Sequence, residues 1–211
     1  MQHLITAQNQ HEYADLLDQM HLLRGAQFFD RRKWRVTVEN GRERDDFDDM
    51  NPLYCLVSDG YGKLLASTRI LMTMGPHMLA DIFPDVMGDE EPLRHPLAWE
   101  ISRFCVDTKS AKETGSDGVN TVTRELLHCI FTAANNAGIT DLVAVHDVFM
   151  ERILKRAGCE MSRMGPIVLY DDGLKTMGSH FEVSKRIVDR MAAKPSRAAQ
   201  ATAQATLLRA A

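Results

Sequence analysis

The chain has 211 residues, of which 45% are apolar and 26% are charged, a composition typical of one globular domain and unlike that of disordered or fibrous proteins. Its net charge is −4, and its 25 basic residues are spread among 29 acidic ones. This argues against a nucleic-acid-binding protein, which usually needs a concentrated basic face.

The first half of the chain predicts a strand, a helix, a long loop and a hairpin. Residues 4–5 indicate a short strand, and apolar residues at helical spacing indicate a helix over residues 10–31. Residues 33–51 lose this spacing and gather charge, which is typical of a long loop. Two apolar runs, 53–58 and 64–72, flank a turn with two glycines and predict an antiparallel hairpin.

In the second half, helices alternate with strands. The predicted elements are a helix over 76–83, a strand over 98–107, a helix over 118–137, a strand over 142–145, a helix from Asp147 to Gly158, and further strands within 161–170 and 177–183. Paired strands followed by this alternation predict an α/β fold, with a mixed sheet packed by helices. We expect one domain over residues 1–190 and an Ala-rich tail over 191–211 that is helical or disordered.

Neither a membrane protein nor a metal site is indicated. The chain has no charged-then-apolar leader and no apolar run near the ~18 residues that span a bilayer, so we expect a cytoplasmic protein without membrane contact. Its cysteines lie far apart in apolar segments, which predicts reduced, buried thiols and no metal. They are Cys55, Cys105, Cys129 and Cys159.

Two arginines interrupt apolar patterns. Arg24 falls on the apolar face of the first predicted helix, and Arg69 lies within the apolar run 64–72. An unpaired buried charge costs several kcal/mol, so each arginine needs a partner if it is buried. The alternatives are a helix that ends early and leaves Arg24 exposed, and an edge strand that turns Arg69 to water.

The segment from Glu43 to Asp49 concentrates five carboxylates in seven residues. Such a run is most often a solvated loop. Inside a pocket it would repel itself unless cations lay beside it. The candidate cations are Arg24, Arg69 and Arg103, or a positively charged ligand.

Arg103 lies three positions after Glu100, and an odd offset sends two side chains to opposite faces of a regular strand. Either they serve different sites, or a β-bulge turns one of them, as bulges beside active sites often do. We favour the bulge. The alternative is that one of these two side chains is solvated and the other has only a structural role.

An ordered set of short motifs runs along the first half of the chain. It consists of Arg24-Gly-Ala-Gln-Phe28-Phe29, Trp34, the acidic segment, Arg69, and Trp99-Glu100-Ile-Ser102-Arg103-Phe104. This set resembles the acyl-homoserine-lactone synthases, bacterial enzymes that make quorum-sensing signals, over roughly residues 20–160. The resemblance implies a fold like the Gcn5-related N-acetyltransferases, in which a mixed, splayed sheet is packed between helices.

The resemblance also implies the reaction. The family joins S-adenosylmethionine to an acyl group from a thioester, releases methylthioadenosine and closes a lactone, so S-adenosylmethionine is a substrate and no cofactor is implied. The implied donor is acyl carrier protein or, in some branches, coenzyme A. Residues 107–118 lack the Gly pattern that cradles a pyrophosphate, which favours the carrier protein. Ala144 and its neighbours offer no Thr hydroxyl, which disfavours 3-oxo chains.

Roles follow from the resemblance residue by residue. The implied catalytic residues are Glu100 as base, Ser102 and Arg103, with backbone N–H groups of residues 102–104 as oxyanion donors. The implied S-adenosylmethionine site comprises Arg24, Phe28, Trp34, Glu43, Asp45, Asp48, Arg69, Phe83 and Phe104. The loop over residues 33–51 would order as a lid when S-adenosylmethionine binds.

The predicted strand over residues 142–145 and the helix that follows it supply the remaining implied contacts. We expect the acyl pocket to be lined by Leu142, Val145, Phe149, Met150 and Ile153. Three basic residues lie on the polar side of this helix: Arg152, Lys155 and Arg156. They are most simply a solvated face, but they would also suit docking of an acidic carrier protein.

Two alternatives stay open. One is an N-acyltransferase that acylates another amine and releases no methylthioadenosine. The other is a non-catalytic module that binds S-adenosylmethionine or acyl chains. The function of this binding module would be unaffected by Glu100→Gln.

Overall fold

A computed structural model describes residues 1–110, 119–170 and 173–192. The strands are β1 (Gln2–Ile5), β2 (Val38–Glu39), β3 (Arg42–Glu43), β4 (Leu53–Ser58), β5 (Leu64–Met72), β6 (Ala98–Val106), β7 (Asp141–Asp147), β8 (Met161–Arg163), β9 (Val168–Tyr170) and β10 (Leu174–Glu182). The helices are α1 (Ala14–Arg24), α2 (Met78–Asp81), α3 (Thr121–Asn136), α4 (Val148–Ala157) and α5 (Lys185–Met191). Among these described helices, none is long and apolar enough to cross a membrane.

The main sheet has eight strands in the order β1-β4-β5-β6-β7-β10-β8, and β9 also pairs with β10. Strands β6 and β7 are parallel, and their pairing runs from Ala98 opposite Asp141 to Ile101 opposite Ala144. Beyond that point β6 continues along β5, and β7 continues along β10. The two central strands therefore part, and a cleft opens in the middle of the sheet.

Helices cover both faces of the sheet. Helices α3, α4 and α5 bury the larger core, which includes Leu126, Ile130 and Leu154. Helix α1 packs on the opposite face, where Met20 meets Ile5 and Leu56. The mixed, splayed sheet packed between helices that we predicted is confirmed, and all four cysteines are buried with free thiols.

Local signals placed the ends of α4 correctly. The Asp147 carboxylate accepts the N–H groups of Phe149 and Met150, which the start of a helix leaves without partners. At the other end Gly158 adopts φ 100°, a left-handed conformation that glycine tolerates well. These two residues therefore fix where α4 begins and ends, and α4 forms one wall of the cleft.

The predicted helix over residues 10–31 is more varied than expected. It consists of a 3₁₀ turn (Gln10–Tyr13), α1, and a π-helical segment (Gly25–Arg31). The predicted loop over 33–51 also contains the β2–β3 hairpin and a 3₁₀ turn (Asp46–Asp49).

Some predictions fall outside the described residues. These are the tail over residues 193–211 and the segment 111–118, part of the stretch that lacks the Gly pattern. Met191, the first described residue of the predicted tail, is fully buried in the core with α5.

Gly25 is the point at which α1 meets the long loop. A Cβ atom on this residue would lie 2.1 Å from the carbonyl oxygen of Gly41, a distance that no side chain tolerates. The backbone of the loop therefore packs directly on the end of the helix.

Replacing Gly25 by Ala should lower the free energy of unfolding by about 1–3 kcal/mol, because the Gly41 backbone has to move. Urea denaturation of purified protein measures this. The control is Gly60→Ala, since no atom lies within 4 Å of a Cβ there. Equal midpoints for the two variants would contradict the packing described above.

Candidate active site

A row of polar side chains crosses the sheet on the α1 side. Tyr54 of β4 lies opposite Arg69 of β5, and Arg69 lies opposite Ser102 of β6. Glu100 shares their face because it lies two residues before Ser102. All four are buried.

Arg103 joins this face through a β-bulge. Arg69 pairs with Ser102 but Ser67 pairs with Cys105, so β6 carries one extra residue between these pairs. Arg103 lies in that extra stretch with φ 54°, in the left-handed region that non-glycine residues rarely adopt. The predicted bulge is confirmed, and it turns the Arg103 guanidinium toward the carboxylates that also hold the other two arginines.

Arg24 is fully buried at the end of α1, where two carboxylates of the long loop pair with it. Its Nε donates to Glu43 Oε2 at 2.5 Å, and its two Nη atoms donate to the two oxygens of Asp48 at 2.8 and 2.7 Å. The alternative of an exposed Arg24 is wrong.

Arg69 and Arg103 complete this network from the sheet. Arg69 donates to both oxygens of Asp45, to Asp48 at 3.0 Å, and to Ser102 Oγ at 3.1 Å. Arg103 donates to Glu43 at 3.0 Å and to Asp45 at 2.6 Å. Arg69 is fully buried, so the edge-strand alternative is also wrong.

We call these six residues the charge network: Arg24, Arg69, Arg103, Glu43, Asp45 and Asp48. Its three positive and three negative charges balance one another. The other two acids of the segment, Asp46 and Asp49, are exposed, so the solvated-loop interpretation holds for them alone.

The charge network controls the ionisation of Asp48. Burial disfavours its carboxylate, but the hydrogen bonds and charges of Arg24 and Arg69 outweigh burial and hold its pKa well below the usual range. Tyr54 donates its hydroxyl to the same carboxylate at 2.8 Å. Burial and the Asp48 charge raise the pKa of Tyr54, so it stays a donor.

Glu100 lies outside the charge network. Its two oxygens accept the N–H groups of Met78 and Leu79, at 2.8 and 2.5 Å, at the start of α2. Burial raises its pKa to about 7, although both N–H groups and Arg69 act in the opposite direction. Glu100 can therefore exchange a proton near neutral pH.

A cavity of about 520 Å³ lies where β6 and β7 part, and one end of it is polar. The predicted site residues that line it are Phe28, Trp34, Glu43, Asp45, Phe83, Glu100, Ser102, Arg103 and Phe104. Phe28 and Trp34 stack with ring centroids 4.9 Å apart, and the Arg103 guanidinium lies 5.5 Å from the Phe28 ring. Arg24, Asp48 and Arg69 lie behind this surface and support it.

The other end of the cavity is mainly apolar. Of the residues predicted for the acyl pocket, Val145 and Met150 line this end, and so does Ala144, which the sequence analysis named for its lack of a hydroxyl. Further lining residues that the sequence interpretation missed include Leu127, Phe131 and Leu154. Helical spacing along α3 was the available signal for the first two.

Three residues predicted to line the acyl pocket lie elsewhere. Leu142 shares a face of β7 with Ala144, but it is fully buried further back, where β6 and β7 are still paired, and it does not line the cavity. Phe149 and Ile153 are 79% and 39% exposed because α4, which begins after Asp147, turns Met150 and Leu154 inward. The prediction is wrong for these three.

The sequence interpretation missed several contacts that shape the polar end. Tyr54 and Phe47 support the charge network, and Met78 Sδ lies 3.3 Å from nitrogens of both Arg69 and Arg103. Across the cleft, Arg32 pairs with Asp147 at 2.5 Å.

The predicted docking residues lie on α4. Arg152, Lys155 and Arg156 are exposed, and Lys155 pairs with Glu151 at 2.7 Å.

Comparisons with known proteins point to one family. A family model described as autoinducer synthase matches residues 7–171. An acyl-homoserine-lactone synthase of Rhizobium radiobacter is 33% identical over 184 residues, which cover 87% of this chain and 85% of that protein.

Solved structures of similar proteins agree. The AHL synthase LasI is 27% identical, with a TM-score of 0.79 over 91% of this chain and 94% of that one. The coenzyme A-dependent acyl-homoserine lactone synthase BjaI, solved with S-adenosylmethionine and isopentyl-coenzyme A, is 25% identical, with a TM-score of 0.81 over 90% of this chain and 87% of that one.

Replacing Asp48 by Asn should cost about 3–5 kcal/mol of stability at pH 7, because three arginines would then share two carboxylates. Since the pKa of Asp48 is depressed, its contribution is full above the unfolded-state pKa of about 3.9 and is lost as pH falls. The gap between wild type and variant should therefore narrow below about pH 4.

Chemical denaturation at several pH values measures this gap. Asp49→Asn is the matched control, because Asp49 is exposed and should change stability by less than about 0.5 kcal/mol. A gap that is equally small for both variants would show that the charge network is not formed in solution.

Proposed function

Because the chain belongs to the autoinducer synthase family, we propose that its cavity binds S-adenosylmethionine beside an acyl thioester and forms an N-acyl-L-homoserine lactone. The resemblance seen in the sequence is thereby confirmed, and the chain is an acyltransferase with the fold of the Gcn5-related N-acetyltransferases. The observation that carries the proposal is one cavity with a charged end and an apolar end.

The charged end suits S-adenosylmethionine, which bears a sulfonium, an amine and a carboxylate. In our proposal Glu43 and Asp45 face its positive groups, and Arg103 faces its carboxylate. Arg24 and Arg69 act indirectly, since they pair with Glu43 and Asp45, and Asp48 pairs with both of these arginines. Phe28, Trp34, Phe83 and Phe104 wall the site and exclude water.

In the first step the substrate amine attacks the thioester carbonyl. An α-amine has a pKa of about 8, so a modest base is sufficient near neutral pH. We assign this role to Glu100, directly or through water, because its pKa is raised to about 7 and it lines the cavity. The C–S bond breaks, the thiol leaves, and backbone N–H groups of residues 102–104 stabilise the oxyanion.

In the second step the substrate's own carboxylate attacks its γ-carbon. The C–S bond to the sulfonium breaks, its electron pair stays on sulfur, and neutral methylthioadenosine leaves. This step needs a folded substrate conformation more than a catalytic group. Because each bond forms either between the two substrates or within S-adenosylmethionine itself, we expect no cofactor.

The apolar end suits the acyl chain. Val145 and Met150 line it with the residues contributed by α3, so chain length would be limited by packing around Leu127 and Phe131. His146 also lines the cavity, but its ring nitrogens lie 2.8 Å from the Asp147 carbonyl oxygen and 2.9 Å from Ser179 Oγ. We therefore favour chains without a 3-oxo group.

For the donor, we propose acyl carrier protein. The exposed basic residues Arg152 and Arg156 support an acidic partner, and the protein would then act in the cytoplasm, where carrier-bound acyl chains are made. An acyl-coenzyme A donor is the second candidate, since the similar BjaI is coenzyme A-dependent.

Mass spectrometry of protein incubated with S-adenosylmethionine tests this function. A panel of acyl chains is offered on carrier protein and on coenzyme A, and methylthioadenosine and acyl-homoserine lactone are measured together. We expect equal amounts of both products. Acylated amine without methylthioadenosine would indicate a simple acyltransferase, and binding of S-adenosylmethionine without products would indicate a binding module.

Replacing Glu100 by Gln should lower kcat by about a hundredfold or more, because the base is lost. The affinity for S-adenosylmethionine, measured by calorimetry, should change little. In the wild-type protein kcat should rise as pH passes through about 7, where Glu100 ionises, and the variant should lack this rise. Wild-type turnover in the variant would exclude Glu100 as the base.

A further inference from the structure

One hydroxyl group of β5 lies inside the apolar core, next to the β-bulge of β6. Ala66, Thr68 and Ile70 point to the same face of β5, and both Ala66 and Ile70 belong to the larger apolar core. Thr68 is 1% exposed, so its hydroxyl is shielded from water. A buried hydroxyl costs free energy unless it is hydrogen-bonded, so Thr68 needs a partner within the protein.

The partner of Thr68 is the carbonyl group at the start of the bulge. Its Oγ1 donates to the Ser102 carbonyl oxygen at 2.9 Å. In the β5–β6 pairing, Thr68 alone lies opposite two residues of β6, Arg103 and Phe104. The Thr68 hydroxyl therefore fixes the direction of the peptide group at which β6 leaves its regular path.

The other end of that peptide group is the N–H of Arg103. The Ser102–Arg103 peptide is trans, so its C=O and N–H bonds point in opposite directions. Since the Ser102 carbonyl points to β5, the Arg103 N–H points away from β5, toward the β7 side. The pairing of β6 with β7 ends at Ile101, so this N–H is directed to the place where the cavity opens.

We propose that Thr68 is a positioning residue that holds the Arg103 N–H as the oxyanion donor for the acylation step. This inference rests on the proposed function, which supplies the thioester carbonyl. As the substrate amine attacks, negative charge develops on the carbonyl oxygen, and a donor that is already in place stabilises it. The carbonyl forms again when the C–S bond breaks and the thiol leaves.

The hydrogen bond from Thr68 acts on this donor in two ways. It limits rotation of the peptide group, which would otherwise be held less firmly because the bulge interrupts the ladder beside it. It also polarises the peptide, since a hydrogen bond accepted by the Ser102 carbonyl makes the N–H of the same peptide a stronger donor.

Single-turnover kinetics of Thr68→Val test the positioning role. Excess enzyme is mixed with S-adenosylmethionine and a saturated acyl chain, carried on pantetheine or on holo-acyl carrier protein, and thiol release is followed. We expect the rate to fall about tenfold, because loss of an oxyanion donor costs about a hundredfold or more and this variant only loosens one. The affinity for S-adenosylmethionine, measured by calorimetry, should stay unchanged. Thr68→Ser keeps the hydroxyl and should restore most of the rate.

The matched control is Ser67→Ala on the same strand. Ser67 is also fully buried, and its Oγ has no hydrogen-bond partner among the residues that the structure describes. Its replacement removes a buried hydroxyl that holds no peptide group, so the rate of thiol release should not change.

Two further readouts distinguish positioning from a purely structural role. In Thr68→Val the pH profile of the rate should keep its midpoint near 7, which Glu100 sets, while its plateau falls. Infrared spectra of acyl-pantetheine bound without S-adenosylmethionine should show a lower C=O stretching frequency than in water, because the thioester oxygen accepts a hydrogen bond. This lowering should be smaller in Thr68→Val than in Ser67→Ala.

The outcomes separate this inference from the proposed function. A rate for Thr68→Val equal to that of Ser67→Ala overturns the positioning role, and so does a Thr68→Ser variant as slow as Thr68→Val. A shifted midpoint of the pH profile also overturns it, because the hydroxyl would then act through Glu100. A wild-type protein that binds S-adenosylmethionine but releases no thiol from either donor contradicts the proposed function itself, and the positioning role falls with it.

Discussion

The site depends on one constraint, which is that a guanidinium shielded from water must be paired. Arg24 from α1, Arg69 from β5 and Arg103 from β6 are held by three carboxylates of the long loop. Buried ion pairs contribute little net stability compared with apolar packing, but breaking one is costly. The charge network therefore acts mainly through specificity, because it ties helix, sheet and loop into the single arrangement that shapes the polar end of the cavity.

The second determinant is the parting of β6 from β7. The parallel pairing stops after Ile101, so a gap opens between β6 and β7 while each of them stays paired with its other neighbour. The bulge at Arg103 lies just beyond that point and turns a charge into the opening. Burial of Glu100 at the start of α2 gives a carboxyl group with a pKa of about 7 in the same place. The charge network, Glu100 and the apolar end of the cavity thus lie together because β6 and β7 separate at this point.

Much of this was predictable from the sequence, and the failures have physical causes. The spacing of apolar residues, the helix-capping residues and the glycines located most helices and strands. The position of Arg24 on an apolar helix face predicted that carboxylates would pair with it. Pairing of Tyr54 with the charge network required the register of the β4–β5 hairpin, which spacing alone does not give. Phe149 was misassigned because its direction depends on where α4 begins and on which side faces the cleft.

Hydrogen exchange of the backbone amides of residues 43–49, on protein without S-adenosylmethionine, shows whether the charge network holds the loop by itself. We expect these amides to be protected like those of β5, and we expect Arg69→Met to speed their exchange about a hundredfold, the ratio for about 3 kcal/mol. Protection in β1 and β4 should change much less. If the wild-type loop instead exchanges as fast as the exposed turn at Gly60–Gly62 and is protected only when S-adenosylmethionine is added, the charge network does not hold the loop by itself.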